Sequence, residues 1–154
     1  CTVSPVVVLP VKSSGQTNHD GDPMDENPKY KAGLAVRRAV LGDEYVNNSL
    51  ANADEFMAPI QQLLTENAWG EVWVRDGLPR KTRSMLNLAM LTALNRPNEL
   101  KLHIKGALNN GVTKEEMCEI FLQAAVYCGA PAGLDSFKIA QQVFKDEAAK
   151  AAKP

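Results

Sequence analysis

The chain has little cysteine, little histidine and few aromatic residues, and each scarcity excludes something. There are three cysteines, Cys1, Cys118 and Cys128, in 154 residues. The number is odd and no CxxC or Cys/His metal spacing occurs, so neither a disulfide framework nor a zinc site is expected. A reducing, cytoplasmic setting fits this usage. No apolar run approaches the roughly 18 residues of a membrane span. A glycine-rich phosphate loop, a GxSxG elbow, an HExxH pair and a heptad repeat are all absent. Lys and Arg total 17 against 18 Asp and Glu, so no basic excess points to nucleic acid. What remains is one domain's length of ordinary globular composition, able to bury a core unaided.

Residues 1–23 differ from the rest. "TVSPVVVLPVK" is β-branched and broken by proline, and "SSGQTNHDGDP" is polar and turn-rich. This segment, which includes Cys1 and His19, reads as a flexible extension or an added segment, and the domain as residues 24–154. From Pro28 on the periodicity is helical. Helices are expected over Tyr30–Leu41 (ended by Gly42), Asp54–Asn67, from Pro79 to about Leu94, and from Pro97 to Asn110. Phe56, Ile60, Leu63 and Leu64 fall at helical spacing in the second. The third is apolar on most sides (Met85, Leu86, Leu88, Ala89, Met90, Leu91) and is expected at the centre. Thr113 and Glu116 form a capping box. The helix it starts carries Met117, Ile120, Phe121, Ala124, Ala125 and Cys128 as one stripe, with Cys128 read as a small buried residue or a nucleophile. Gly129-Ala130-Pro131 stops it. A last helix spans about Ala132 to Lys145, with Phe137, Ala140 and Phe144 inward and a frayed tail. The fold class is all-α.

Three features can carry chemistry. Leu100, His103, Ile104, Ala107 and Leu108 share one helix face, so a histidine occupies a buried stripe. It is either a core histidine satisfied locally or an imidazole that handles protons near neutral pH. Glu99, one turn earlier, is placed to support it. Glu71 lies between the chain's two tryptophans, Trp69 and Trp73. If both rings face inward they exclude water and raise the carboxyl pKa; otherwise Glu71 is an exposed loop residue. Arg75, Arg80, Lys81 and Arg83 follow. Guanidinium groups bind carboxylates bidentately, and cations at a helix start oppose the dipole, which hints at an external anion. A solvated charged face is the alternative.

With these residues assembled, the chain resembles the carboxymuconolactone decarboxylase family. The matching segments are "RRAVLGDEYV" (37–46), "AWGEVWVRDGL" (68–78), "RKTRSMLNLAMLTALNR" (80–96), "ELKLHIKGALNNGVTKEE" (99–116) and "VYCGAPAGLDSF" (126–137). The resemblance implies an all-α alkyl hydroperoxidase-like fold and a homo-oligomer, a trimer or hexamer. It implies a small dicarboxylate lactone as substrate, no membrane or nucleic-acid partner and no metal or cofactor. The activity implied is decarboxylation of gamma-carboxymuconolactone to β-ketoadipate enol-lactone in protocatechuate catabolism, because the lactone ring is its own electron sink. On this reading His103 and Glu71 are catalytic, Arg75, Arg80 and Arg83 hold a carboxylate, Trp69 and Trp73 form the wall, and Glu99 supports His103. The peroxidase branch carries a CxxC pair where this chain has Arg96 and Glu99, which argues against thiol peroxidase chemistry. A decarboxylase or tautomerase for another lactone or polyketide acid remains the alternative.

Overall fold

The computed structural model describes residues 27–152. The expected extension over residues 1–23 and the domain start at residue 24 lie outside them. The described chain is helical throughout. In order come α1 (Pro28–Leu41), α2 (Asp43–Ala51), α3 (Ala58–Leu63) running directly into a π-helical segment (Leu64–Val72), α4 (Arg80–Ala93), α5 (Pro97–Asn109), α6 (Lys114–Cys128) and α7 (Ala130–Ala151).

Local chemistry explains most boundaries. The Asn27 side chain accepts from the Lys29 amide and Pro28 occupies the first turn of α1. Gly42, at φ +88°, ends α1 and begins α2. The predicted capping box forms: the Glu116 amide donates to Thr113 Oγ1 at 3.2 Å and the Thr113 amide to Glu116 Oε2 at 2.8 Å. Gly129, at φ +110°, separates α6 from α7. Pro131 sits in the first turn of α7, where its missing N–H costs nothing. The expected frayed tail is instead helical to Ala151, tied to α5 by Lys101–Asp146 and Lys105–Glu147 ion pairs.

Two apolar clusters meet along α5. Leu88, Leu100, Ile104, Ala107, Met117, Phe121, Ala140 and Val143 join α4 to α7. Val36, Val40, Leu41, Val46, Trp69 and Trp73 join α1, α2 and the π-helical segment, with Leu102 of α5 against them. The second cluster depends on a backbone-to-backbone contact. A Cβ on Gly33 would overlap the Thr65 carbonyl oxygen, and one on Gly70 the Lys29 carbonyl oxygen. Buried Arg37 ties the same elements together. Its guanidinium donates to Thr65 Oγ1 (3.1 Å), Ser49 Oγ (3.2 Å) and Gln61 Oε1 (2.8 Å).

Several apolar expectations are corrected. Leu88 of α4 is fully buried, but Leu86, Met90 and Leu94 are exposed. The helix packs on α5, α6 and α7 along one side only. Cys128 is exposed, not buried, beside Val126 and Tyr127, which are 82% and 81% exposed. Phe56 (87% exposed), Ile60, Leu63 and Leu64 also face outward; α3 has no buried residue. Exposed apolar area on this scale exceeds what isolated surface residues explain.

Gly33→Ala should lower stability by about 1–3 kcal/mol, the usual cost of overpacking, read as a lower urea midpoint. Gly77→Ala, where an added Cβ meets nothing within 4 Å, should leave the midpoint unchanged. Equal midpoints for both variants would refute the close contact.

Candidate active site

The π-helical segment builds one wall. Its last turn is closed by the Trp73 amide donating to the Ala68 carbonyl at 3.0 Å, an i to i+5 bond. Such segments are uncommon and concentrate at functional sites. Trp69 and Trp73, four residues apart, turn to the same side and are both buried, with ring centroids 4.9 Å apart. The Trp69 indole also lies parallel to the His103 imidazole, with 6° between planes and 6.4 Å between centroids. That is the offset-parallel arrangement aromatic rings favour.

His103 reaches this wall from α5, on the stripe that buries Leu100, Ile104 and Ala107. Its Nδ1 lies 3.3 Å from the side-chain amide nitrogen of Asn87 on α4. Burial pushes its pKa below the ordinary 6.5, and nearby Glu99 pulls it partly back. The ring is therefore neutral at physiological pH. Glu99 itself is exposed in the first turn of α5.

Glu71 does not sit where the sequence suggested. It is 54% exposed and pairs with Lys29 Nζ at 3.2 Å. The reason is helical geometry: residues two apart on a helix do not share a face. Trp69 and Trp73 turn inward together, so the residue midway between them turns out. The tryptophans do not desolvate this carboxylate.

The arginines divide. Arg75 and Arg80 line a cleft of about 220 Å³ together with Trp73, Asp76, Leu78 and Pro79. Among the described residues neither guanidinium has an ion-pair or hydrogen-bond partner. Arg83 is half-buried, and its Nη2 donates to the Arg75 carbonyl at 3.1 Å. It fixes the loop that carries Arg75. Lys81 is engaged with Glu116 at 2.7 Å. The N-terminus of α4 opens beside this cleft with no side-chain cap and no acidic residue in its first turn. Free helix amides and two unpaired guanidiniums favour a carboxylate there. Trp73 lines that cleft and packs on Trp69, which packs on His103. The cationic end and the imidazole are thus two aromatic rings apart.

Sequence reasoning missed Asn87, which touches the imidazole. Its signal was faint: a lone amide within the apolar run Met85–Leu91, at i+3 from buried Ser84. It also missed Lys29 as the partner of Glu71.

The family model described as carboxymuconolactone decarboxylase family matches residues 58–142. The chain is 46% identical over 123 residues to a 4-carboxymuconolactone decarboxylase of Acinetobacter baylyi, covering 80% of this chain and 92% of that one. It is 48% identical over 117 residues to a nitrosuccinic acid decarboxylase of Metarhizium robertsii, covering 76% and 82%. The chain belongs to the carboxymuconolactone decarboxylase family. The region matched by the family model contains the π-helical segment, Arg75, Arg80, Arg83, Asn87 and His103. A shorter 4-carboxymuconolactone decarboxylase sequence of Pseudomonas putida matches at 44% over 48 residues, all of that chain.

The depressed pKa of His103 sets a sign for stability. The unfolded chain takes up this proton at higher pH than the folded one. The contribution is full above about 6.5 and is lost as pH falls towards the folded value. Urea midpoints at pH 7.5 and 5.5 should therefore differ more in the wild type than in His103→Gln. An equal or smaller difference in the wild type would contradict a buried neutral imidazole.

Proposed function

We propose that this chain is a carboxy-lyase that removes CO₂ from 4-carboxymuconolactone (gamma-carboxymuconolactone) to give β-ketoadipate enol-lactone. The observation that carries this reading is the identity with the Acinetobacter baylyi enzyme over 92% of that enzyme's length. The geometry accords with it. The substrate has a carboxylate on the ring carbon gamma to the lactone carbonyl and a second carboxylate on a side-chain acetate. As CO₂ departs, the electron pair passes through the ring double bond to the carbonyl oxygen. A proton then adds at the alpha carbon.

Two demands follow. The acetate needs cations, and Arg75 and Arg80 with the open N-terminus of α4 supply them. The ring carboxylate is better left away from cations, since binding it tightly stabilises the ground state and slows the reaction. The ring then lies towards the aromatic wall, where His103 stabilises charge growing on the carbonyl oxygen. Arg83 acts by holding the Arg75 loop, and Glu71 is left to its surface pair with Lys29.

A second substrate has a specific observation behind it, the identity to the nitrosuccinic acid decarboxylase. Nitrosuccinate is also a dicarboxylate with a built-in sink, the nitro group, beside the carbon that loses CO₂. The same cation clamp and hydrogen-bond donor suit it.

We further propose that the chain works as a cytoplasmic homo-oligomer, a trimer or hexamer. An apolar groove of about 340 Å³ between α4 and α6, lined by Met85, Leu86, Ala89, Ile120, Ala124 and Tyr127, supports this. Exposed Leu122 and Val126, four residues apart on α6, form a further apolar strip on that helix.

Turnover of 4-carboxymuconolactone is followed by enol-lactone formation. Arg80→Ala and Arg75→Ala should each raise KM at least about tenfold, the loss expected for a charge-assisted hydrogen bond. Glu71→Gln should change kcat/KM less than about threefold, in keeping with an exposed pair. A wild type turning over nitrosuccinate but not the lactone would shift the reading to the second substrate, and inertness towards both would remove it. Light scattering should give several subunits for the wild type and fewer for Val126→Glu. A monomeric wild type would contradict the assembly.

A further inference from the structure

What an imidazole can do depends on which ring nitrogen carries its proton. His103 Nδ1 faces the Asn87 side-chain amide nitrogen at 3.3 Å. An amide nitrogen donates and does not accept. With the Asn87 amide in this orientation, Nδ1 is the bare, accepting nitrogen and the proton of the neutral ring lies on Nε2. We propose that Asn87 is a positioning residue that holds His103 as the neutral Nε2–H tautomer, so that the ring donates a hydrogen bond to the developing oxyanion and does not protonate carbon. This rests on the decarboxylase reading above, and it separates two tasks that sequence left shared.

Two surroundings act together. Trp69, parallel to the ring within 6°, fixes the imidazole plane but is indifferent to a half-turn about the Cβ–Cγ bond, which keeps that plane and exchanges Nδ1 with Cδ2. Asn87 breaks that symmetry, because of the two ring edges only the Nδ1 edge presents an acceptor to its N–H. Burial acts in the same direction by disfavouring the imidazolium, and an N–H aimed at Nδ1 opposes a second proton there. The charged group acting on the ring is Glu99, on its own helix. The contacts from other elements, Asn87 of α4 and Trp69 of the π-helical segment, carry no charge.

The chemistry balances without a proton from histidine. The bond from the ring carbon to the departing carboxylate breaks. Its electron pair moves through the ring double bond onto the lactone oxygen, and Nε2–H stabilises that oxygen. Water then supplies the proton that the alpha carbon takes, and the hydroxide left behind is neutralised by bulk solvent or by the released CO₂ as bicarbonate. Giving up the Nε2 proton instead would leave an anionic imidazolate on a partly buried ring, a costly species.

The test uses the full chain with ¹⁵N-labelled histidine. Long-range proton–nitrogen spectra at pH 7.5 identify the protonated nitrogen, and His103→Gln distinguishes His103 from His19. The expected result is a proton on Nε2. In Asn87→Asp the carboxylate can only accept, so the proton should move to Nδ1. That variant's kcat on 4-carboxymuconolactone should fall about 100-fold with KM within about threefold, the scale of one lost oxyanion donor. Wild-type kcat/KM should rise as pH increases through the His103 titration and stay level above it. A proton on Nδ1 in the wild type overturns the proposal. So does a rate that falls as pH rises through that titration, or an Asn87→Asp enzyme with the wild-type kcat. If Asn87→Asp does not fold, the wild-type spectrum and pH profile decide. A protein inert towards the lactone would sink the functional reading, while the nitrogen shifts would still decide what Asn87 does.

Discussion

The close approach of α1 to the π-helical segment is the constraint on which the rest depends. Gly33 and Gly70 let the two backbones touch, each against the other's carbonyl oxygens. With that contact made, Arg37 reaches Thr65 and Gln61, and Trp69 and Trp73 turn into the apolar cluster. The aromatic pair then extends to α5, where Trp69 lies flat against His103. A side chain at either glycine would push the segment away and move the wall with it. The imidazole is therefore oriented by a contact made on the far side of the segment.

This arrangement keeps two electrostatic environments apart. One is the open end of α4, where Arg75 and Arg80 stand free beside helix amides that no side chain caps. The other is the half-buried imidazole, neutral because desolvation outweighs the pull of Glu99. A dicarboxylate that must keep one carboxylate and lose the other needs such a division. A uniformly cationic site would hold both carboxylates and favour the substrate over the transition state. On the proposed reading the substrate carries its own electron sink, which leaves the protein the work of placement and one well-aimed donor.

Much of this was legible in the sequence, and the misses have physical causes. The stripe around His103 was legible because three buried neighbours at i−3, i+1 and i+4 fix its face. The Thr113–Glu116 box was legible because capping is local chemistry. Helix α2 was not, since Val46 is its one buried residue and leaves no period to read. The segment from Trp69 to Trp73 was read as a carboxylate between two inward rings. Its helical geometry shows why that fails: what places both rings on one side sends Glu71 to the other, to Lys29. Helix α4 looked central because it is apolar on most sides, yet Leu86 and Met90 are exposed. Asn87 was invisible because its role exists only through a residue sixteen positions later on another helix.

The central claim is that the Trp69-backed imidazole of His103 is the group on which CO₂ loss turns. The most direct measurement is CO₂ release from 4-carboxymuconolactone by the wild type and by His103→Gln, with thermal melts compared at the same pH. The account predicts a similar melt and a rate at least about 100-fold lower in the variant. A well-folded His103→Gln protein that releases CO₂ at the wild-type rate would contradict it.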